Sequence, residues 1–200
     1  MAFLSDPDET NFVISGYAGT GKSTLVSTIL EDTPKMLKAI NLLTQKNNDT
    51  EIVCAATTNK ACEVFAAMSG YPVKTVHKTL GLTIRTDYKN NTQKIIEIDK
   101  SHYIKNAIIF IDEASYLDAE LIAMITKKCS ESKIVYIGDP AQLAPIKRTV
   151  SPVFNLGFKT AKLTKIMRQA GGNPIIELSA MFREVVNGGD WFQTNLDNNH

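Results

Sequence analysis

Four short apolar runs punctuate the chain: Asn11–Ser15 (NFVIS), Ile52–Ala56 (IVCAA), Ala107–Ile111 (AIIFI) and Lys133–Gly138 (KIVYIG). Each is nearly continuous and bounded by polar turns, the pattern of strands buried on both faces. Between and after them, apolar positions recur with helical period over Thr24–Leu30, Asn59–Met68, Asp118–Lys128 and Pro174–Val186. Alternating strands and helices predict an α/β fold, a mostly parallel sheet with helices on both faces. Ligands of such sheets sit at the carboxyl ends of the strands. Leu82–Ile98 breaks the alternation: two β-rich arms flank Lys89-Asn90-Asn91, which has turn composition. This predicts a small inserted β-hairpin, which on its residues alone is equally an ordinary surface hairpin. Gln45–Asp49 and Asn195–His200, both rich in asparagine, read as a loop and a frayed end.

Composition narrows the class. Two hundred residues at 44% hydrophobic suit one domain, with or without a small insertion. No apolar run is long enough to span a membrane. The N-terminal MAFLSDPDET lacks the basic and apolar regions of a signal peptide. Cys54, Cys62 and Cys129 are odd in number and show no C-x-x-C spacing, so neither a disulfide framework nor a zinc site is expected. A cytoplasmic setting follows. A net charge of +1 leaves the partner open, because a local groove can be basic on a nearly neutral protein.

The chemistry is concentrated at the predicted strand ends. Residues 16–23 read GYAGTGKS, a complete G-x-x-x-x-G-K-[ST] phosphate-binding loop between a strand and a helix. Its glycines let backbone N–H groups turn toward phosphate oxygens, and the helix N-terminus adds unpaired donors and a positive dipole end. Gly16, Ala18, Gly19, Thr20, Gly21, Lys22, Ser23 and Thr24 are the candidate nucleotide-binding residues. Lys22 is placed to reach the β- and γ-phosphates, and Ser23 to ligate Mg²⁺. IIFIDEAS (108–115) delivers two adjacent carboxylates at a strand end. Asp112 is expected to hold Mg²⁺, and Glu113 to orient and deprotonate the attacking water. In YIGDPAQL (136–143), Gln142 is a candidate contact to the γ-phosphate or that water, while Asp139 fits plain turn chemistry. In LTKIMRQ (163–169), Arg168 follows what reads as a fifth strand or a strand edge and is a candidate for stabilising transition-state charge.

Taken in order, these motifs resemble the first RecA-like domain of superfamily 1 helicases, closest to the RecD-like and phage Dda-type branch. GYAGTGKST resembles motif I, AATTNKA (55–61) motif Ia and TVHKTL (75–80) motif Ib of that branch, and the likeness runs from Asn11 to about Gly188. It implies a P-loop NTPase of RecA-like fold, using ATP and Mg²⁺ to move 5′ to 3′ on single-stranded DNA and unwind forks. It also implies that Thr58, Asn59, Lys60 and His77 line the DNA path, where their polar groups hold phosphates without reading sequence. The hairpin at about 82–98 corresponds to the pin that splits the duplex, with Tyr88 near its tip as a stacking residue. Three departures accompany the likeness. Thr57 stands where the family usually has proline. No glutamine precedes the first strand to serve as the adenine-reading motif, and Phe3–Thr10 reads as the tail of the helix that would carry it. The second RecA-like domain that closes the ATP site is absent from these residues, and is expected in cis or in trans.

Two other readings stay open. One is a domain that binds nucleotide and single-stranded DNA without appreciable turnover. The other is an unrelated phosphate-loop enzyme, such as a metabolite kinase, for which GDPAQL and LTKIMRQ have no evident use.

Overall fold

The computed structural model describes residues 2–45, 49–87, 92–142 and 151–165. Six strands form a parallel sheet: β1 (Asn11–Gly16), β2 (Glu51–Ala56), β3 (Val73–Thr75), β6 (Lys105–Asp112), β7 (Glu131–Gly138) and β8 (Lys159–Leu163), ordered β3-β2-β6-β7-β1-β8. The four predicted strands are all present, each extended by one to three residues. The expected fifth strand is β8, and it begins four residues before Leu163.

Period-two alternation along the central strand divides the interior. Ile109 and Ile111 of β6 join Leu117, Leu121, Ile125 and Tyr136 on one face. Ile108 and Phe110 join Ile14, Val26, Leu30 and Phe65 on the other. Side chains of adjacent strand residues point to opposite faces, so a run apolar at every position needs cover on both. Helices α2 (Lys22–Thr44) and α3 (Asn59–Ser69) supply that cover on the second face. Helix α5 (Ala119–Lys128) and the one-turn α4 (Val76–Thr79) supply it on the first. Helix α2 runs through Pro34 to Thr44, well past the predicted start at Thr24–Leu30. The short helix α1 (Ala2–Ser5) lies beside β1, with Phe3 against Phe12 at 5.3 Å between ring centres.

The inserted hairpin is present. Strands β4 (Leu82–Asp87) and β5 (Thr92–Glu97) pair antiparallel, Leu82 opposite Glu97 and Ile84 opposite Ile95. The expected turn at residues 89–91, Tyr88, Arg168 and the helix expected over Pro174–Val186 lie outside the described residues.

Register brings the strand ends level. Ser15 pairs with Gly138, Gly16 with Leu163 and Ala56 with Asp112. The phosphate loop, the two carboxylates and the Gly-Asp-Pro turn therefore share one edge of the sheet.

Candidate active site

The loop after β1 owes its shape to its glycines. Gly19 and Gly21 take φ of 82° and 85°, the left-handed region that a side chain disfavours. Gly16 is required for another reason: a Cβ there would lie 2.7 Å from Thr20 Oγ1 and 3.0 Å from the Leu163 carbonyl oxygen. Thr20 is buried and donates from Oγ1 to Tyr17 O at 2.7 Å, closing the loop on itself. Gly21 is the N-cap of α2 and has no side chain to bond the first-turn N–H groups, so the helix presents those donors at the cavity. Lys22 Nζ donates to Gly16 O at 2.5 Å and to Tyr17 O at 3.0 Å, which holds the ammonium at the mouth of the loop.

The carboxylates face this lysine. Burial pushes the Asp112 carboxyl above its ordinary range, against the opposing pull of the Glu113 backbone N–H and the Lys22 charge. Glu113 is also pushed up, first by burial and then by the charges of Asp112 and Asp139, with Lys22 opposing. Two adjacent carboxylates in a half-buried cleft disfavour each other's charge, so a cation there is stabilised. Glu113 has φ 55° and ψ 40°, a left-handed conformation rare for a residue with a side chain. The turn that follows, Ala114–Tyr116, holds it with Tyr116 N–H to Glu113 O at 3.1 Å.

The Gly-Asp-Pro turn is bolted to the carboxylate segment by Ser115. The Ser115 Oγ donates to Asp139 O at 2.8 Å and accepts from Asp139 N at 3.1 Å. Ser115 and Asp139 are 2% and 3% exposed, so both are committed to this contact. Asp139 Oδ1 accepts from Ala141 N at 2.9 Å, and Asp139 O from Gln142 N at 3.1 Å. The turn-forming expectation for Asp139 thus holds. What sequence reasoning missed is the partner, Ser115, because the two lie 24 residues apart and nothing local marks the pair.

One cavity of about 400 Å³ collects these groups. Ala18, Gly19, Gly21, Lys22, Ser23, Thr24, Asp112, Glu113 and Gln142 line it, all expected from the sequence. Gly16 and Thr20 shape the loop from behind. The cavity also has an apolar wall of Val26, Val64, Phe65, Met68 and Ile137 that the motifs did not announce.

The residues expected on a DNA path lie outside this cavity. Thr58, Asn59 and Lys60 are exposed where β2 gives way to α3. Thr58 Oγ1 caps that helix by accepting from Ala61 N at 3.1 Å, and Lys60 pairs with Glu63 at 3.0 Å on the surface. Thr57 Oγ1 lies 3.5 Å from Glu113 O, at the outer limit of a hydrogen bond. His77 sits half-buried on α4, and burial holds its imidazole below the ordinary value while Asp118 opposes this.

Among the described residues no group of three or more His, Cys, Asp or Glu side chains stands ready to hold a metal. Ser23 and Asp112 share the cavity, a sparse oxygen set that suits Mg²⁺, which keeps water and phosphate oxygens as its other ligands. Among the described residues no helix is long and apolar enough to cross a membrane.

Comparison with known proteins agrees with this fold. Residues 2–189 match the family described as AAA domain. The chain is 27% identical to the ATP-dependent RecD2 DNA helicase of Deinococcus radiodurans over 168 residues, covering 82% of this chain and 20% of that protein. It is 27% identical to the ATP-dependent DNA helicase dda of Enterobacteria phage T4 over 185 residues, covering 89% of this chain and 38% of that protein. Among solved structures, unliganded Pif1 from Bacteroides sp. superposes with a TM-score of 0.57 at 21% identity, over 92% of this chain and 43% of Pif1, a likeness of fold. The chain thus spans well under half the length of the curated relatives it matches. It belongs to the AAA domain family, and the resemblance to RecD-like and Dda-type helicase motor domains carried by its motifs is borne out.

Proposed function

We propose that the chain is the ATP-binding and hydrolysing motor domain of a DNA helicase, a single RecA-like unit with the β4–β5 hairpin inserted in it. The observation that carries this reading is the cavity in which Lys22, Ser23, Asp112, Glu113 and Gln142 converge on one sheet edge. Lys22 would exchange its two loop carbonyls for β- and γ-phosphate oxygens. Ser23 and Asp112 would hold Mg²⁺, which neutralises charge on the phosphates. Glu113 takes the proton of the attacking water, a role its raised proton affinity favours. Gln142 orients that water, on a turn whose position Ser115 sets. Arg168, five residues after the end of β8 in sequence, would stabilise transition-state charge.

Single-stranded DNA would cross the exposed ends of β2 and α3 at Thr58, Asn59 and Lys60, and pass His77. Movement from 5′ to 3′ and duplex splitting by the hairpin rest on the RecD- and Dda-like relationship. A second RecA-like domain, in cis or in trans, would close the ATP site.

Binding of a labelled single-stranded oligonucleotide, measured against salt, tests the DNA half of the reading. Its log–log slope is expected to be about −0.7 per phosphate contacted. No binding, or binding indifferent to salt, would contradict the path through Lys60. ATP turnover measured in the same samples separates a competent motor domain from one that binds without hydrolysis.

A further inference from the structure

Helix α5 ends on a lysine with no access to solvent: Lys128 is 0% exposed. A buried ammonium is tolerated only when paired and hydrogen-bonded. Its Nζ donates to Asp99 O at 3.1 Å and to His102 O at 3.0 Å, and lies 3.1 Å from Glu97 Oε2. The Tyr103 ring stands 5.5 Å away, within cation–π range. The backbone carbonyl of Lys128 accepts Ile104 N–H at 2.9 Å. Every one of these partners lies in residues 97–104, the segment by which the hairpin returns to β6.

Glu97 is the last residue of β5, paired across the hairpin with buried Leu82. Lys127 grips its other oxygen at 2.8 Å. The hairpin base is also held by Ile98 N–H to Gly81 O at 2.9 Å, by the His102 ring Nε2 3.0 Å from Thr79 O, and by Leu82 and Ile95 packed with the core. At its other end α5 is capped by Asp118, whose carboxylate accepts Leu121 N–H at 2.8 Å, six residues after Asp112. One helix therefore connects the carboxylates of the phosphate site to the base of the hairpin. Packing alone would be served by an apolar side chain at position 128. Among the described residues the charge is met by residues 97–104, and none of these contacts belongs to the cavity around Lys22.

We propose that Lys128 is a positioning residue that fixes the β4–β5 hairpin to α5, so that hairpin and phosphate site move as one body. This rests on the reading of the chain as a DNA-unwinding motor domain whose hairpin meets the duplex at a fork.

The experiment compares the chain with Lys128→Met in three readouts: amide hydrogen exchange, MgATP affinity, and affinity for a forked against a plain single-stranded oligonucleotide. The variant is expected to speed exchange at Ile98 and Ile104 by about tenfold or more, as loss of a buried charge partner should. It should also erase any preference for the fork, leaving MgATP affinity, single-strand affinity and exchange in β1, β6 and β7 unchanged. Unchanged exchange at Ile98 and Ile104 would overturn the proposal. So would a parallel fall in every readout, which marks a general folding role. If Lys128→Met does not fold, Glu97→Ala removes the hairpin-side partner while leaving Lys128 its two carbonyls, and the same outcomes decide. If the wild-type chain shows no preference for the fork, the hairpin's role in DNA falls, and exchange alone decides whether Lys128 holds it.

Discussion

Glu113 combines a left-handed backbone, half burial and two acidic neighbours. Each opposes stability, and together they are what the proposed role of Glu113 as general base calls for. The sign of the effect follows from linkage. Its folded-state pKa is raised, so between the ordinary carboxylate range and that raised value the native state binds more protons than the unfolded chain. Stability therefore falls as pH rises through that window, and at neutral pH the charge of Glu113 weighs against the fold. Glu113→Gln is expected to raise the melting temperature at neutral pH without nucleotide or Mg²⁺, and to abolish ATP hydrolysis. The difference should close at pH below the ordinary carboxylate range, where both states of the wild type are protonated. Melting curves across pH check this. A variant less stable than wild type at neutral pH would show that Glu113 serves the structure.

At the scale of elements, the site depends on how the segments after β6 and β7 are joined. Ser115 makes that joint with one buried hydroxyl bonded to both the N–H and the carbonyl of Asp139. Ser115→Ala would leave the buried Asp139 N–H unpaired and the Asp139 carbonyl with Gln142 N–H alone, at about 1–3 kcal/mol. Thermal melting should fall by roughly 3–10 °C for a chain of this size, and Gln142 should lose its fixed place. A melting temperature within a degree of wild type would contradict the joint. This tie also marks the limit of what local sequence discloses. The strands were legible because a doubly buried strand has to be apolar at nearly every position, as in Ala107–Ile111. The phosphate loop was legible because its spacing is itself the mechanism. By contrast β3 and α4 hold three and four residues, too few to display a period. Strand β8, KTAKL, pairs on one edge only and keeps charged positions that disguise it. Helix α2 continues through Pro34, a residue that lacks the N–H an interior helical position donates, so its full length was not legible from Thr24–Leu30. The Ser115–Asp139 and Lys128–Glu97 contacts join residues 24 and 31 positions apart, and only the folded chain brings them together.

Across the whole molecule, the proposed nucleotide site occupies the carboxyl edge of the sheet, and the hairpin base stands at the far end of α5. Of the residues proposed for single-stranded DNA, Thr58, Asn59 and Lys60 lie on the surface between β2 and α3, and His77 is half-buried on α4. That layout suits a unit in which events at a phosphate are transmitted to a nucleic acid contacted elsewhere. All of it depends on the cavity around Lys22 being a nucleotide site. Calorimetric titration of MgATP into the chain and into Lys22→Ala tests that directly. Saturable binding by the wild type, weakened about tenfold or more in the variant, is expected from loss of a charged contact to phosphate. Equal affinity in the two proteins, or no binding by the wild type, would contradict it.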